Sequence, residues 1–305
     1  MCVKECVLGM DIGGTNFRMG LVDRSLRAEQ VMVYSSQSVY DTGNTVDKFA
    51  LYIRNYIEKY GAGYDILSIA IGCPSVVDGE RRRLFSSTNF PGLENIDLVG
   101  ELEKRLPYRV IIDHDAYYLL AYDMRRSGLA SKGAVIGCYF GTGLGSAMYI
   151  DGRPYIGRNG TACELGHLPI PFNDYLCSCG NRGCIEMFSC GKALERIGQE
   201  RYPDTFIGEL FTRHGDSEPL RQFVEYMSIA VAAAVNIIDP HCVFVGGGIP
   251  SMKNFPWQYF LEKVISHTRK PYPAENLDIR FSENSSEKGI IGAAIRAFEY
   301  IPHKT

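Results

Sequence analysis

The sequence predicts an α/β protein built from two lobes. The chain has 305 residues, which is long for a single core and suits two domains of ordinary size. Strand-like and helix-like apolar patterns alternate along it. Two glycine-bearing hairpins of similar pattern, at residues 8–24 and 136–152, indicate that the lobes are related, although chance resemblance could also produce such a pair.

The first part of the chain predicts a hairpin followed by alternating helices and strands. Two apolar strands are joined through the bend Gly13, Gly14 and Thr15. Apolar residues at helical spacing predict a helix over 45–60, and the run ILSIAIGC predicts a buried strand that ends in a proline turn. A second helix near 98–106 precedes the strand RVIID, which continues into HDAYYLLAYDMRR.

The second part begins with the repeated hairpin and ends in a helix. A cysteine-rich insert and a long apolar helix, which Pro240 stops, lead to the strand CVFVGGG. The closing segment EKGIIGAAIRAFEYI predicts a helix whose small residues suit close packing. We therefore expect a first lobe of residues 1–115, completed by the helix 289–305, and a second lobe of residues 116–288.

Composition argues against several classes of protein. Hydrophobic residues make up 46% and charged residues 22%, and the net charge is −3, so we expect no nucleic-acid partner. The longest apolar window, IAVAAAVNII, is half of the roughly 20 residues that a membrane span needs, and charged residues interrupt the first apolar stretch. Ten cysteines are too dilute for a disulfide scaffold and indicate a reducing, cytoplasmic location.

Three glycine clusters could present backbone N–H groups to an anion such as phosphate. They are the bend at 13–15, the bend at 141–145 and the run at 246–248. Each alone is more simply a tight turn, and none forms the P-loop or the dinucleotide fingerprint. Taken in order, Asp-x-Gly-Gly-Thr and then Gly-Thr-Gly, they resemble the actin-like arrangement of sugar kinases and heat-shock ATPases, which implies ATP bound between two lobes.

Several carboxylates could carry acid–base or metal chemistry. Asp115 directly follows the strand RVIID, where side chains project from a sheet edge, and Asp113 competes for the same role. Helix capping is the alternative for both. Asp11, inside the first strand, is costly to bury unless it is paired, so we expect it to face Mg²⁺ or to bond to the neighbouring turn.

The cysteine-rich insert predicts a closed zinc site. Cys177, Cys179 and Cys184 form Cys-x-Cys-x-x-x-x-Cys, and His167 upstream supplies a fourth ligand. Four protein ligands leave no open coordination position, which disfavours a zinc hydrolase, while disulfide pairing remains the main alternative. Glu164 and Glu186 flank the insert and, with His167, suit a ligand that carries several hydroxyls; a charged surface loop is the other interpretation.

The motifs together resemble the ROK family of repressors, open reading frames and sugar kinases. The resemblance runs through DIGGTN, TNFPG, HDA, GTGLG, NGTACELGHLPI, CSCGNRGCIE, DPHCVFVGGG and GIIGAA, and so spans nearly the whole chain. It implies a two-lobed, actin-like (ribonuclease H-like) sugar kinase fold with a zinc-bearing insert. It also implies an ATP-dependent hexose kinase that uses Mg²⁺ and structural Zn²⁺ and acts as a homodimer.

The resemblance assigns roles to particular residues of this chain. Asp115 would be the base that takes the proton from the sugar 6-hydroxyl. The residues that would hold the other hydroxyls are Asn89, Glu164, His167 and Glu186. The residues that would face ATP are Asp11, Gly13, Gly14, Thr15, Thr142, Gly143, Gly246, Gly247 and Gly248. His167 would serve twice, as zinc ligand through one ring nitrogen and as sugar contact through the other.

Two departures from the family pattern bear on the substrate. Glucose-type members have Asn directly before the catalytic Asp, where this chain has His114, and Gly before the Glu, where it has Cys163. Over its length the chain is most similar to the D-allose kinase branch, which implies D-allose as substrate. Glucose, fructose and N-acetylmannosamine remain alternatives, and a sugar-sensing repressor is a remote one because no basic recognition helix precedes Asp11.

Overall fold

The structure, a computed structural model, describes residues 3–39, 44–86, 92–129, 131, 133–171 and 173–301. Its contacts divide the chain into two compact units. The first comprises Met1–Ser127, Ile156–Ala162 and Ser285–Thr305, and the second comprises Gly128–Tyr155 and Cys163–Asn284. The first division falls after Ser127 rather than after residue 115, because the helix that begins at Asp115 packs against the closing helix.

Strands and helices alternate as the hydrophobic pattern predicts. The strands are β1 (Lys4–Ile12), β2 (Asn16–Asp23), β3 (Ala28–Ser35), β4 (Tyr64–Cys73), β5 (Val76–Val77), β6 (Leu84–Ser86), β7 (Val110–His114), β8 (Ala134–Phe140), β9 (Leu144–Ile150), β10 (Arg153–Pro154), β11 (Cys242–Gly246) and β12 (Ile279–Ser282). The helices are α1 (Thr45–Tyr60), α2 (Leu98–Glu103), α3 (Asp115–Ser127), α4 (Glu186–Ser189), α5 (Gly191–Arg201), α6 (Leu210–His214), α7 (Glu218–Ile238), α8 (Trp257–His267) and α9 (Lys288–Tyr300).

The first unit is a five-stranded sheet with helices packed on it. The strand order is β3-β2-β1-β4-β7, antiparallel through the first three strands and parallel from β1 through β4 to β7. Parallel strands place their carboxyl ends at one edge, and β1, β4 and β7 therefore deliver Asp11, Cys73 and His114 to that edge. The short strands β5 and β6 form a separate hairpin.

Alternation along β1 explains how both faces of this sheet are covered. Cys6, Leu8 and Met10 share one buried cluster with α1, whereas Val7 belongs to the cluster that contains α9 residues. On the α9 face the packing is so close that a Cβ added at Gly9 would lie 2.4 Å from the carbonyl oxygen of Ile290. Within α9 itself, an added Cβ would lie 2.6 Å from Asp11 Cγ at Gly289 and 1.9 Å from the Tyr118 carbonyl oxygen at Gly292, so small residues of α9 also permit the close packing that the sequence predicts.

The second unit repeats the strand arrangement of the first. Its sheet has the order β10-β9-β8-β11-β12, again antiparallel through three strands and parallel from β8 through β11 to β12. The pairing of helices α7 and α8 supplies much of its buried core. Since strand order and direction match in both sheets, chance no longer explains the two similar hairpins. No helix in the described part of the chain has the length and apolarity that crossing a membrane requires.

Candidate active site and zinc centre

The first unit gathers its predicted site carboxylates at the carboxyl edge of the sheet. Asp11 on β1 pairs in register with Gly72 on β4, which pairs with Asp113 on β7. Asp115 follows as the first residue of α3. Backbone register alone therefore places these carboxylates along one edge of three parallel strands. Asn89, which the resemblance also assigned to this site, lies outside the described residues.

Asp115 has the properties of a general base that works near neutral pH. Its side chain is 28% exposed, so a substrate hydroxyl can reach it. Its Oδ1 accepts a hydrogen bond of 2.7 Å from the Ala116 N–H and lies 3.2 Å from His114 Nδ1. Burial raises the pKa of Asp115 to about 7, and the Ala116 N–H opposes that rise. A base of this pKa is half ionised at neutral pH and still accepts a proton readily.

Asp113, the competing candidate for the general base, makes its contacts within the protein interior. It is only 5% exposed, and its Oδ1 accepts a 2.8 Å hydrogen bond from the His114 N–H. The same oxygen lies 3.3 Å from Arg81 Nε. Burial raises its pKa, and the charges of Arg81 and Arg296 lower it. The geometry therefore favours Asp115 over Asp113 as the carboxylate that meets a ligand.

Asp11 is influenced by the charges of a carboxylate and a cation. Burial and the negative charge of Asp115 raise the pKa of Asp11 to about 6, and Arg18 opposes this rise. Arg18 is its register partner on β2, with Nη1 3.6 Å from Asp11 Oδ2. Arg18 was missed from the sequence, although a cation opposite a half-buried carboxylate in a hairpin is a signal that could have found it. The backbone of Gly289 also approaches closely, since a Cβ there would lie 2.6 Å from Asp11 Cγ.

The first glycine bend is a braced turn. Gly13 N–H donates to the Asn16 carbonyl at 2.9 Å, which closes the bend between β1 and β2. Ser36 stabilises the bend through two hydrogen bonds. Its N–H donates to the Thr15 carbonyl at 2.9 Å, and its Oγ donates to the Gly13 carbonyl at 2.7 Å. A bend fixed in this way keeps its backbone in one conformation before any ligand arrives, which lowers the entropy cost of binding.

In the second unit the predicted zinc ligands converge. The ligand atoms of His167, Cys177, Cys179 and Cys184 all lie within 4.8 Å of one another. Tetrahedral zinc, with Zn–S of about 2.3 Å and Zn–N of about 2.0–2.1 Å, separates two sulfurs by about 3.8 Å and a sulfur from a nitrogen by about 3.6 Å. The sulfurs of Cys179 and Cys184 are 3.7 Å apart, and Cys177 Sγ is 3.6 Å from His167 Nδ1. The donor set therefore fits zinc in both chemistry and spacing.

Glycines shape the loop that carries these ligands. Gly180 and Gly183 both have positive φ, at 93° and 74°, as the sharp turns expected around an ion require. At Gly183 a Cβ would lie 2.8 Å from the Asn173 carbonyl oxygen. The Gly180 N–H donates to the Cys177 carbonyl at 3.0 Å, and the Cys177 N–H donates to the Asn181 carbonyl at 2.8 Å. The cysteines are thus held on a narrow backbone loop.

A tight turn presents Glu164 beside His167, the predicted zinc ligand. Glu164 has φ −77° and ψ 62°, and the Leu165 N–H donates across it to the Cys163 carbonyl at 2.9 Å, which defines an inverse γ-turn. His167 directs Nδ1 to the cysteine cluster and Nε2 toward Glu164, with 3.7 Å between Nε2 and Oε2. The two ring nitrogens therefore face different partners, as a residue with two roles requires.

Cys163 occupies a backbone position that favours the glycine of the family pattern. Its φ is 67°, a left-handed conformation that costs a side chain about 1–2 kcal/mol. Ser146 Oγ holds the turn by donating a short hydrogen bond to the Cys163 carbonyl. Burial raises the pKa of the Cys163 thiol to about 12, so this cysteine is neutral and unreactive at physiological pH.

Glu186 connects the end of the cysteine-rich insert to the second glycine bend. Its Oε2 accepts a hydrogen bond of 2.8 Å from the Leu144 N–H, directly after that bend. A Cβ at Gly143 would lie 2.7 Å from the same oxygen, so Gly143 is required by this contact. The Gly191 N–H, at the start of α5, donates to the Gly141 carbonyl at 2.7 Å. The predicted sugar-binding Glu186 therefore also stabilises the predicted phosphate bend.

The glycines of the clusters at 141–145 and 246–248 differ in what their missing side chains permit. Packing explains Gly246 and Gly247. A Cβ at Gly246 would lie 2.6 Å from Ser282 Oγ, and a Cβ at Gly247 would lie 2.4 Å from the Phe140 carbonyl oxygen. At Gly141 and Gly248 a Cβ would meet no described atom within 4 Å. These two follow the adjacent parallel strands β8 and β11, so they offer the backbone that a ligand could approach.

Comparisons with known proteins agree with this architecture. The ROK family model matches residues 7–299. The N-acetyl-D-glucosamine kinase of Pectobacterium carotovorum is 31% identical over 306 residues, covering 94% of this chain and 97% of that protein. The glucokinase of Thermotoga maritima is 26% identical over 311 residues, covering 95% and 96%.

A solved structure shows the same fold. The ROK family glucokinase from Streptomyces griseus, in complex with glucose and AMPPNP, superposes with a TM-score of 0.81 at 23% identity and covers 96% of this chain and 99% of that one. The predicted α/β, two-lobed sugar kinase fold is therefore confirmed. With the family model spanning almost all of its length, this chain belongs to the ROK family.

Proposed function

We propose that this protein is an ATP-dependent hexose kinase that transfers the γ-phosphate of ATP to the 6-hydroxyl of a sugar, with Asp115 as general base. Membership in the ROK family, whose relatives include glucokinase and N-acetyl-D-glucosamine kinase, supports the reaction class. The observation that carries the residue assignment is the position of Asp115. It is a partly exposed carboxylate at the carboxyl edge of three parallel strands, with its pKa raised to about 7.

The proposed step is a single displacement in which Asp115 accepts the proton. The sugar hydroxyl gives its proton to the Asp115 carboxylate, and its oxygen forms a bond to the γ-phosphorus. The bond between that phosphorus and the bridging oxygen of ATP breaks, and ADP leaves with the electron pair. Protonated Asp115 then releases the proton to water, which a group of pKa about 7 does readily at neutral pH.

The second unit would recognise the sugar through the turn that contains Glu164. The inverse γ-turn and the ligation of His167 Nδ1 fix the directions of the Glu164 carboxylate and of His167 Nε2. Bound zinc would supply a rigid tetrahedral anchor for His167 and the three cysteines, and it would take no part in phosphoryl transfer. Glu186 and Asn89 complete the proposed set of hydroxyl partners.

Each unit carries residues that are proposed to contact the nucleotide. In the first unit Asp11 and the bend of Gly13, Gly14 and Thr15 would face the phosphates. In the second unit the proposed contacts are Thr142, Gly143, Gly246, Gly247 and Gly248, and the open backbone at Gly248 supports this assignment most directly. The Asp11 carboxylate offers the hard oxygen donor that Mg²⁺ prefers, and bound Mg²⁺ would neutralise charge on the phosphates.

We propose D-allose as the preferred sugar. The support is the departure at His114 from the Asn of glucose-type members, together with the overall resemblance to the D-allose kinase branch. His114 Nδ1 lies 3.2 Å from Asp115 Oδ1, so the residue that differs adjoins the proposed base. A changed side chain at this point alters which hydroxyls can be paired, and a site whose polar groups a sugar leaves unpaired strongly rejects that sugar.

A sugar panel tests both the reaction class and the substrate. Purified protein with ATP and Mg²⁺ is given D-allose, glucose, fructose, N-acetylmannosamine and N-acetyl-D-glucosamine in turn, and ADP release is measured with the Asp115→Ala variant as control. We expect the highest kcat/KM with D-allose and no release from the variant. Turnover of another sugar alone would reassign the substrate, whereas no sugar-dependent ADP release with any of the five would refute the kinase assignment.

A further inference from the structure

Arg81 lies in the interior of the first unit, although the sequence places it in a run of three arginines. It belongs to the turn between β5 and β6 and has a φ of 55°, which is unusual for a residue other than glycine. Asp78 stabilises this turn by accepting hydrogen bonds from the N–H groups of Arg82 at 2.7 Å and Arg83 at 2.9 Å. The turn directs Arg81 inward, where its side chain is only 14% exposed.

The guanidinium of Arg81 contacts several separate stretches of the first unit. Its Nη1 donates to the carbonyl oxygens of Gly160 at 3.1 Å and Val77 at 3.3 Å. Its Nε lies 3.3 Å from Asp113 Oδ1, and its Cζ lies 5.3 Å from the centroid of the Tyr117 ring. A planar cation with donors on several sides can make all these contacts at once, which an ammonium group cannot do.

Two of these contacts fall on either side of the proposed base. Asp113 lies two residues before Asp115, at the end of β7, and Tyr117 lies two residues after it, in the first turn of α3. The Asp113 carboxylate that Arg81 approaches also accepts the 2.8 Å hydrogen bond from the His114 N–H. Side chains on both sides of Asp115 therefore contact a single buried guanidinium.

We infer that Arg81 is a positioning residue for catalysis, which holds the strand-to-helix junction so that Asp115 meets the sugar hydroxyl at the correct distance. The inference rests on the proposed kinase function. Arg81 touches neither substrate nor the reacting atoms in this assignment, so it acts through Asp113 and Tyr117. A displacement of about 1 Å at a reacting group costs about 100-fold in rate, which sets the size of the expected effect.

The test is the variant Arg81→Met, with Arg82→Met as matched control. Arg82 is the next residue of the same turn, but its side chain is 44% exposed and lies 3.5 Å from Asp97. We expect Arg81→Met to lower kcat by about 100-fold, with the KM for ATP changed less than twofold, and Arg82→Met to leave both within twofold. Equal losses in the two variants, or a loss of folded protein without a loss of kcat per folded molecule, would overturn the inference.

Two further measurements separate a positioning role from a general loss of structure. In Arg81→Met, hydrogen–deuterium exchange should become faster at the amides of residues 113–118. It should remain unchanged across β8 to β9 in the second unit. No rise at 113–118 would show that Arg81 does not hold the junction. If Arg81 acts through Asp113, adding Asp113→Asn to Arg81→Met should lower kcat little further, whereas multiplying losses would refute that route. Exchange is read without activity, so it remains decisive even if the sugar panel refutes the kinase assignment.

Discussion

Replacing Asp115 with Asn should abolish phosphoryl transfer and at the same time stabilise the protein. The carboxylate is held where its ionised form is disfavoured, because burial raises its pKa from 3.8 to about 7. The amide of the Asp115→Asn variant would keep an oxygen that accepts the 2.7 Å hydrogen bond from the Ala116 N–H, but it would carry no charge. The variant therefore removes the proposed base together with the cost of its ionisation.

The size of this effect follows from the pKa. A pKa difference of 1 corresponds to about 1.4 kcal/mol, so a rise from 3.8 to about 7 corresponds to about 4 kcal/mol at pH above 7. More than a quarter of the side chain is exposed, and screening by water reduces this to about 2 kcal/mol. For a folded unit of this size that amount raises the melting temperature by about 4–8 °C.

The pH dependence gives the sharpest form of the prediction. Between pH 4 and 7 Asp115 keeps its proton in the folded protein and has lost it in the unfolded chain, so its contribution to stability falls as pH rises. The stability gained by Asp115→Asn should therefore be small near pH 4, grow up to about pH 7 and stay constant above it. Over the same interval kcat/KM of the unaltered enzyme should rise with pH, because only the ionised carboxylate accepts a proton.

Calorimetric melting at closely spaced pH values measures the stability, and ADP release measures the activity. Asp216→Asn serves as control, because the Asp216 side chain is fully exposed. Two results would refute the account of Asp115 as a carboxylate whose charge is disfavoured. One is an Asp115→Asn variant that is less stable than the parent at pH 8, and the other is a stability difference that does not depend on pH.

Three other substitutions test the scaffold. Cys179→Ser should lower the zinc content, the unfolding midpoint and the sugar affinity together, with a loss of about tenfold in sugar affinity. Metal analysis and titration calorimetry measure these changes. Unchanged sugar affinity in a zinc-free protein would contradict the anchoring role. Lys288→Met should cost about 3–5 kcal/mol in urea unfolding, because it removes the cation that lies 2.6 Å from the buried Asp123 carboxylate; a cost below about 1 kcal/mol would count against this. Cys163→Gly should be more stable than Cys163→Ala by about 1–2 kcal/mol, since only glycine adopts a φ of 67° without strain. Equal stability of the two variants in thermal melting would show that the turn relaxes.

Strong periodicity made the regular elements predictable. The helix expected at 45–60 is α1, Thr45–Tyr60, and both predicted hairpins are present as β1–β2 and β8–β9. The edge strand β3 was missed because its burial alternates only weakly, and the hairpin β5–β6 is too short to leave a pattern. Helix α8 went unrecognised because only two of its residues, Phe260 and Val264, are buried.

The residue types of the candidate site could be chosen from the sequence, but the contacts that each residue makes could not. Asp113 and Asp115 follow the same strand, and only the structure shows that Asp113 is buried against Arg81 while Asp115 remains accessible. Glycine clusters likewise do not disclose which glycines are needed for packing and which leave open backbone. Arg81 gave no signal, because three consecutive arginines in a polar turn are typical of a solvated surface.

The position of α9 in the chain has a consequence for how the protein is made. The face of β1 that bears Val7, Gly9 and Asp11 packs against residues 288–300, which a ribosome translates only after the whole of the second unit. Strand β1 is therefore synthesised long before the helix that covers it, and one of its faces stays open until α9 emerges. A chain truncated before residue 288 would therefore lack the native cover of Val7, Gly9 and Asp11.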